Sequence, residues 1–258
     1  MKRLCLALLL IVSVLAGTQS PAAAIINGDP DGNQHPYVGL IVNDELACSA
    51  SAISPRVLVT AAHCIADGPD EFWVSFQPTT QLASDGWPDL TAPGLVHGTG
   101  QIITDYCEAC GPGLIGFASP DVGVVVLDTP VTLPRYAQLP SVGLVDHLRT
   151  RQPVTKVGYG VNQFLHGDGP PLPTTDFVRR TSPAELLPTN RSIADWFVRA
   201  QSIGTPGQSQ ACYGDSGGPL LLGDTILGVN SFGNGQCSVA NYYSRIDRTD
   251  VLSLIPQA

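Results

Sequence analysis

The chain has 258 residues, of which 43% are apolar, and a formal net charge of −9. That length and apolar content suit one large or two small cored domains, and the acidity argues against nucleic acid or anionic lipid as a partner. Gly and Pro number 27 and 22, and no helical apolar stripe runs beyond a few turns, so the composition predicts many turns and few long helices.

Residues 1–24 read as a targeting segment. Lys2 and Arg3 form a basic start, Leu4 to Ala16 is almost wholly apolar, and Ala22-Ala23-Ala24 is a small-residue cleavage site. The apolar run is short for a spanning helix, so the expectation is an exported chain with no membrane anchor. Cleavage after Ala24 begins the mature chain at Ile25; cleavage after Ala16 instead leaves residues 17–24 as a propeptide. Without residues 1–24 the charge falls to −11, from 11 basic and 22 acidic side chains.

Beyond that point the chain reads as short strands. Tyr37 to Val42, Cys48 to Ile53, Arg56 to Ala62 and Phe72 to Phe76 come first. Residues 77–120 are loops with at least one strand. Asp121 to Leu127 is apolar after its first residue, as in a strand buried on both faces. Residues 128–140 look like a crossing linker. Val154 to Gly160 is the next strand, 161–173 a turn-rich loop, and Thr174 to Thr181 a further strand. Ile193 to Ala200 is helical or extended. Thr225 to Phe232 and Tyr242 to Ile246 are strands, and Arg248 to Ile255 is a short helix capped by Thr249 or Asp250. Such strands joined by Gly/Pro turns predict an all-β fold.

Seven cysteines occur, and six remain once Cys5 leaves with the targeting segment, an even number that suits disulfides in an exported chain. Cys107-Glu108-Ala109-Cys110 is open to three readings: a redox dithiol, half a zinc site, or a small disulfide. No second C-x-x-C or H-x-x-x-H accompanies it, which favours the disulfide. Asn190-Arg191-Ser192 is a glycosylation acceptor, and the acidic run Asp67–Glu71 is read as solvated rather than metal-binding.

Three segments carry chemistry. In Cys212-Tyr213-Gly214-Asp215-Ser216-Gly217-Gly218-Pro219 a serine stands among glycines that permit a tight turn with free N–H groups. A serine is a weak nucleophile unless a base takes its proton and an acid orients the base. Val57-Leu58-Val59-Thr60-Ala61-Ala62-His63-Cys64 supplies a histidine, and Asp121-Val122-Gly123-Val124 a carboxylate. Gly214-Asp215-Ser216-Gly217-Gly218 also fits the nucleophile elbow of α/β-hydrolases, but there the histidine follows the serine. Here His35, His63, His97, His147 and His166 all precede Ser216. The four other than His63 have no comparable setting and are placed in loops.

The ordered set resembles the chymotrypsin-like (trypsin-like) serine endopeptidases over nearly all of the chain after residue 24. The resemblance implies two packed six-stranded antiparallel β-barrels, spanning residues 25–132 and 133–258, with the active site in the cleft between them. It implies His63, Asp121 and Ser216 as the triad, Gly214 and Ser216 N–H as the oxyanion hole, and Ser231 as a hydrogen-bond donor to Asp121. It pairs Cys48 with Cys64 and Cys212 with Cys237, which leaves Cys107 and Cys110. It offers the ammonium of Ile25 as the cation for an inward-facing Asp215. Counting from Ser216, Gln210 falls on the floor of the specificity pocket, with Tyr213 at its mouth, Gly233 at its neck and Asn241 near its base. Gln210 and Asn241 make that pocket polar and uncharged, which excludes selection for Lys or Arg. The implied partners are protein or peptide substrates and protein inhibitors; no cofactor or metal is expected, and a monomer is. A catalytically silent binding homologue is the alternative, which the complete triad disfavours.

Overall fold

In the first half, β-branched and small residues build strands that close on themselves. A computed structural model describes residues 24–66, 68–107, 119–165, 170–188, 194–203 and 210–256. The targeting segment up to Ala23, Cys110, His166 and the acceptor at Asn190 lie outside them. A turn at Ala24–Asn27, with non-helical Ile25 and Ile26, leads into the two-residue β1 (Asp29–Pro30). There follow β2 (Val38–Val42), β3 (Ala47–Ala52), β4 (Val57–Thr60), β5 (Glu71–Ser75), β6 (Val96–Ile102) and β7 (Gly123–Leu127). They close as a barrel in the order β2-β3-β4-β7-β6-β5, with every pairing antiparallel. Leu40, Leu58, Phe72, Val74 and Val125 fill it and are fully buried.

The second half repeats the scheme. Its strands are β8 (Pro153–Gly158), β9 (Gln163–Leu165), β10 (Leu172–Thr174), β11 (Arg180–Leu186), β12 (Phe197–Ser202), β13 (Pro219–Leu222), β14 (Thr225–Phe232) and β15 (Asn241–Arg245). The order β11-β12-β15-β14-β13-β8 is closed by pairing of β8 with β11, and β1 adds to the β11 edge. Val154, Leu186, Val198, Leu220, Leu227 and Tyr243 form its core. Residues 128–152 cross between the barrels with one 3-10 turn at Leu144–His147. The chain closes with a helix, Thr249–Leu252, that buries Val251.

Several local expectations are corrected. Thr174 ends β10, and residues 175–179 form no continuous strand, Val178 making only an isolated bridge to Thr79. Thr175 Oγ1 accepts from Phe177 N–H, Asp176 Oδ1 accepts from Val178 N–H, and Phe177 takes a φ of 50°. These side chains satisfy the backbone locally and delay the strand to Arg180. The stretch read as a loop, 161–173, contains the β9–β10 hairpin. His97 lies in β6 rather than a loop and faces Asp128 at 2.7 Å. His147 lies in the 3-10 turn. Neither Thr249 nor Asp250 caps the last helix; Arg248 is the cap residue, and the Asp250 carboxylate instead accepts from its guanidinium.

A buried ionic cluster joins the barrels. Arg179 is fully buried and donates from Nε to Asp31 at 2.9 Å. Its other nitrogens reach the carbonyls of Gly32, Val38 and Phe76 and the Tyr159 hydroxyl. His35 also donates to Asp31 through its backbone N–H, at 3.0 Å. Burial acts to raise the Asp31 pKa, but hydrogen bonds and charge from His35, and the Arg179 charge, hold it below the ordinary carboxylate value.

Candidate active site

Strand register brings the first two groups together. β4 and β7 pair so that Thr60 faces Gly123. His63 follows the end of one strand and opens the helical turn His63–Ala66, while Asp121 precedes the start of the other. The His63 N–H donates to Asp121 Oδ1 at 2.9 Å, and His63 Nδ1 lies 2.7 Å from Oδ2. Ser231 Oγ donates to the same Oδ2 at 2.6 Å, and the Asp121 N–H donates to Ser244 Oγ. Asp121 is 1% exposed. Burial acts to raise its pKa, but the His63 charge and hydrogen bonds from His63 and Ser231 outweigh it and hold the carboxyl below its usual value. The Cys48–Cys64 disulfide ties the histidine turn to β3.

Ser216 comes from the second barrel on a turn that glycine makes possible. Gly214 and Gly217 have φ of 86° and 75°, where other residues are strained. A Cβ on Gly217 would also collide with Thr60 Oγ1 and Ser49 O, so the turn is pressed against the first barrel. Ser49 N–H donates to Ser216 O at 2.8 Å, and Gly217 N–H to Asn230 O at 2.8 Å. Among the described residues, the N–H groups of Gly214 and Ser216 carry no hydrogen bond and remain able to donate. Ser216 and His63 line the same cleft without a hydrogen bond between them; such bonds often tighten only around substrate.

Asp215 turns inward and is 1% exposed. Cys212 and Gly160 N–H donate to it at 2.9 Å each, and the backbone N–H of Ile25 donates as well. Ile25 is fully buried, and Ile26 N–H donates to Gln210 O. With residue 24 still attached, burial pushes Asp215 up to about 7, against its backbone hydrogen bonds.

Beside Ser216 lies a cleft of about 380 Å³. Tyr213, Gly233 and Asn241 all line it, as do Cys212 and Cys237, which form a disulfide. Asn241 Nδ2 donates to Ala211 O at 3.1 Å, while the carboxamide oxygens of Asn241 and Asn230 have no partner. Gln210, expected on the floor, is buried behind the lining residue Ala211 and is not itself among the lining residues; its Oε1 accepts from the Lys156 ammonium. Lys156 is the one charged group near this cleft that the sequence reading did not single out. In the sequence it is one residue of the predicted strand Val154 to Gly160 with no motif around it.

On the other side of Ser216 is a second cleft of about 370 Å³, lined by Leu46, Val161, Trp87 and Phe177 among others. Cys107 is disulfide-bonded; its expected partner Cys110 lies outside the described residues. Cys48, His63 and Cys64 are close enough to hold a metal, but both sulfurs are in a disulfide and no thiolate is available. No helix among the described residues is long and apolar enough to cross a membrane.

Two closed antiparallel barrels, with a glycine-bound serine from one facing a histidine–carboxylate pair from the other, define a chymotrypsin-like serine protease. The chain belongs to the trypsin family, whose model matches residues 25–254, and is by that membership a serine endopeptidase. It is 27% identical to a chymotrypsin of Phaedon cochleariae over 239 residues, covering 88% of this chain and 79% of the relative. It is 27% identical to a trypsin of Sarcophaga bullata, covering 90% and 88%, and 29% identical to brachyurin of Leptuca pugilator, covering 81% and 86%. Human heparin binding protein superposes with a TM-score of 0.63 at 18% identity, covering 86% of this chain and 92% of that one, which bears on fold alone.

Proposed function

We propose that this is an exported peptidase that cleaves protein or peptide substrates through His63, Asp121 and Ser216. The observation that carries this reading is the Asp121 carboxylate. It is buried, holds His63 by two hydrogen bonds, and is braced by Ser231 on the wall facing Ser216. With Nδ1–H on the carboxylate, His63 presents Nε2 as a base toward the cleft. Ser216 Oγ attacks the scissile carbonyl carbon and its proton passes to Nε2. The oxyanion takes hydrogen bonds from Gly214 and Ser216 N–H. The C–N bond then breaks, the amine leaves with the proton from His63, and an acyl ester on Ser216 remains. Water repeats the sequence and frees the acid.

Formation of the oxyanion hole depends on Asp215, which fixes the peptide bearing the Gly214 N–H. A free ammonium on Ile25 supplies the cation that this buried carboxylate needs. Removal of the targeting segment after Ala24 creates it. The Cys107–Cys110 disulfide, secretion, the monomeric state and the division into barrels at 25–132 and 133–258 belong to the same reading, as do protein inhibitors as further partners. Gln210 brings no negative charge to the pocket, so Lys and Arg are not selected.

Digestion of a peptide library by the chain beginning at Ile25 tests the reading. Ser216→Ala should lower kcat/KM by at least about a thousandfold with the fold intact. Retention of more than a few per cent of the activity, or clustering of cuts after Lys or Arg, would count against it.

A further inference from the structure

After residue 24 the chain contains a single lysine, Lys156. It sits on β8, faces Ser182 across one strand pair and Leu220 across the other, and is 1% exposed. A fully buried lysine is uncommon because its ammonium is costly to strip of water. Here the ammonium donates to Ser202 Oγ at 2.7 Å and to Gln210 Oε1 at 3.4 Å. Gln210 precedes Ala211, which lines the cleft, as does Asn241. With the carboxamide oxygen of Gln210 turned to the ammonium, its N–H2 end is turned away from it.

The charges beside this cleft do not cancel. Lys156 and Asp215 interact electrostatically across the barrel interior. In the chain cut before Ile25, the new ammonium joins them, giving two cations and one carboxylate. The Tyr243 hydroxyl, fully buried, lacks a hydrogen-bond partner and is influenced by Asp215.

We propose that Lys156 makes this a pocket for acidic side chains, so that the enzyme cuts on the carboxyl side of Glu in preference to Gln. This rests on the acyl-transfer reading above and names the substrate class for the same site. The ammonium acts through Gln210: it polarises the carboxamide so that the N–H2 end meets the carboxylate. Asn230 and Asn241 line the cleft as neutral carboxamides whose unpartnered oxygens are themselves buried. They therefore accommodate Glu and Gln alike, and the charge beneath decides. At roughly 8 Å and an effective dielectric of about 20, a unit charge favours a carboxylate some thirtyfold.

The test uses the chain beginning at Ile25 and peptides identical except for Glu, Gln, Leu or Arg before the cut. Assays at about pH 6 favour the charged form of an ammonium whose pKa burial lowers. The expected wild-type ratio of kcat/KM for Glu over Gln is at least about tenfold; a ratio below about fivefold overturns the proposal. Lys156→Met should bring the ratio near one with the Gln peptide still cleaved, and Lys156→Arg should keep the preference. Equal loss on both peptides in Lys156→Met would assign the lysine to Asp215 alone and overturn the proposal. If neither variant folds, the wild-type ratio decides. Labelling by a fluorophosphonate without cleavage after Glu sinks the specificity alone, whereas neither labelling nor cleavage sinks the acyl-transfer reading with it.

Discussion

Ser231 shows how one hydroxyl tunes the site. It shares Asp121 Oδ2 with His63, so its loss removes one of the bonds that keep the carboxylate ionised in a dry setting. Ser231→Ala should lower kcat by about ten- to a hundredfold, the range for a hydrogen bond to a charged group, with little change in KM. Steady-state kinetics on one good peptide checks this; an unchanged kcat would make Ser231 an ordinary strand serine. Asp121→Asn should cost more, about ten-thousandfold, because the amide no longer imposes the productive tautomer. His63, Asp121 and Ser216 were legible in the sequence because each sits in a segment whose neighbours are distinctive. Lys156 was not. Its significance comes from the closure of the second barrel, which brings its ammonium to Ser202 and Gln210, residues 46 and 54 positions later.

At the scale of elements, the serine turn depends on backbone freedom. Gly217 has positive φ and no room for a Cβ. Gly217→Ala should destabilise the protein by about 1–3 kcal/mol from strain, with a larger loss of activity as the turn shifts from the first barrel. Thermal unfolding and kinetics on the same preparation separate the two. The stretch 174–186 marks the limit of pattern reading. Thr174 to Thr181 has strand-like residues, yet local hydroxyl and carboxylate bonds interrupt it between Thr174 and Arg180. The real strand buries Arg180 and Ser182 alongside Ala184 and Leu186, so its inward face does not read as apolar. Strand Thr225–Phe232, with an apolar inward face, was read with its full bounds.

The whole molecule is held together by charge as well as by apolar packing. Arg179 and Asp31 lie 148 residues apart and meet at the barrel interface, a distance over which no sequence pattern operates. Arg179→Met should cost about 3–5 kcal/mol by removing the guanidinium beside buried Asp31, which keeps only its bonds from His35. Because the folded Asp31 pKa lies below its unfolded value, the contribution is present above the ordinary carboxylate range and lost as pH falls through the folded value. Denaturant unfolding near pH 7 and near pH 3 should therefore show the variant's deficit shrinking in acid; an equal deficit at both would assign it to packing.

Asp215 has the opposite sign. In a chain extended beyond Ile25 its folded pKa is raised to about 7, so that form loses stability as pH rises from the unfolded carboxylate value toward 7. On the proposed reading, a free Ile25 ammonium removes that loss and orders the oxyanion hole. Extended forms should be slower on every substrate, and equal rates would disprove control by the Ile25–Asp215 pair.

The central claim is that Ser216, activated by His63, is the nucleophile. Its most direct measurement is mass spectrometry of the chain beginning at Ile25 after reaction with a serine-directed fluorophosphonate. The account predicts one adduct per chain, on Ser216, lost in a folded His63→Ala variant. An adduct on another residue, or a Ser216 adduct formed equally fast without His63, would contradict it.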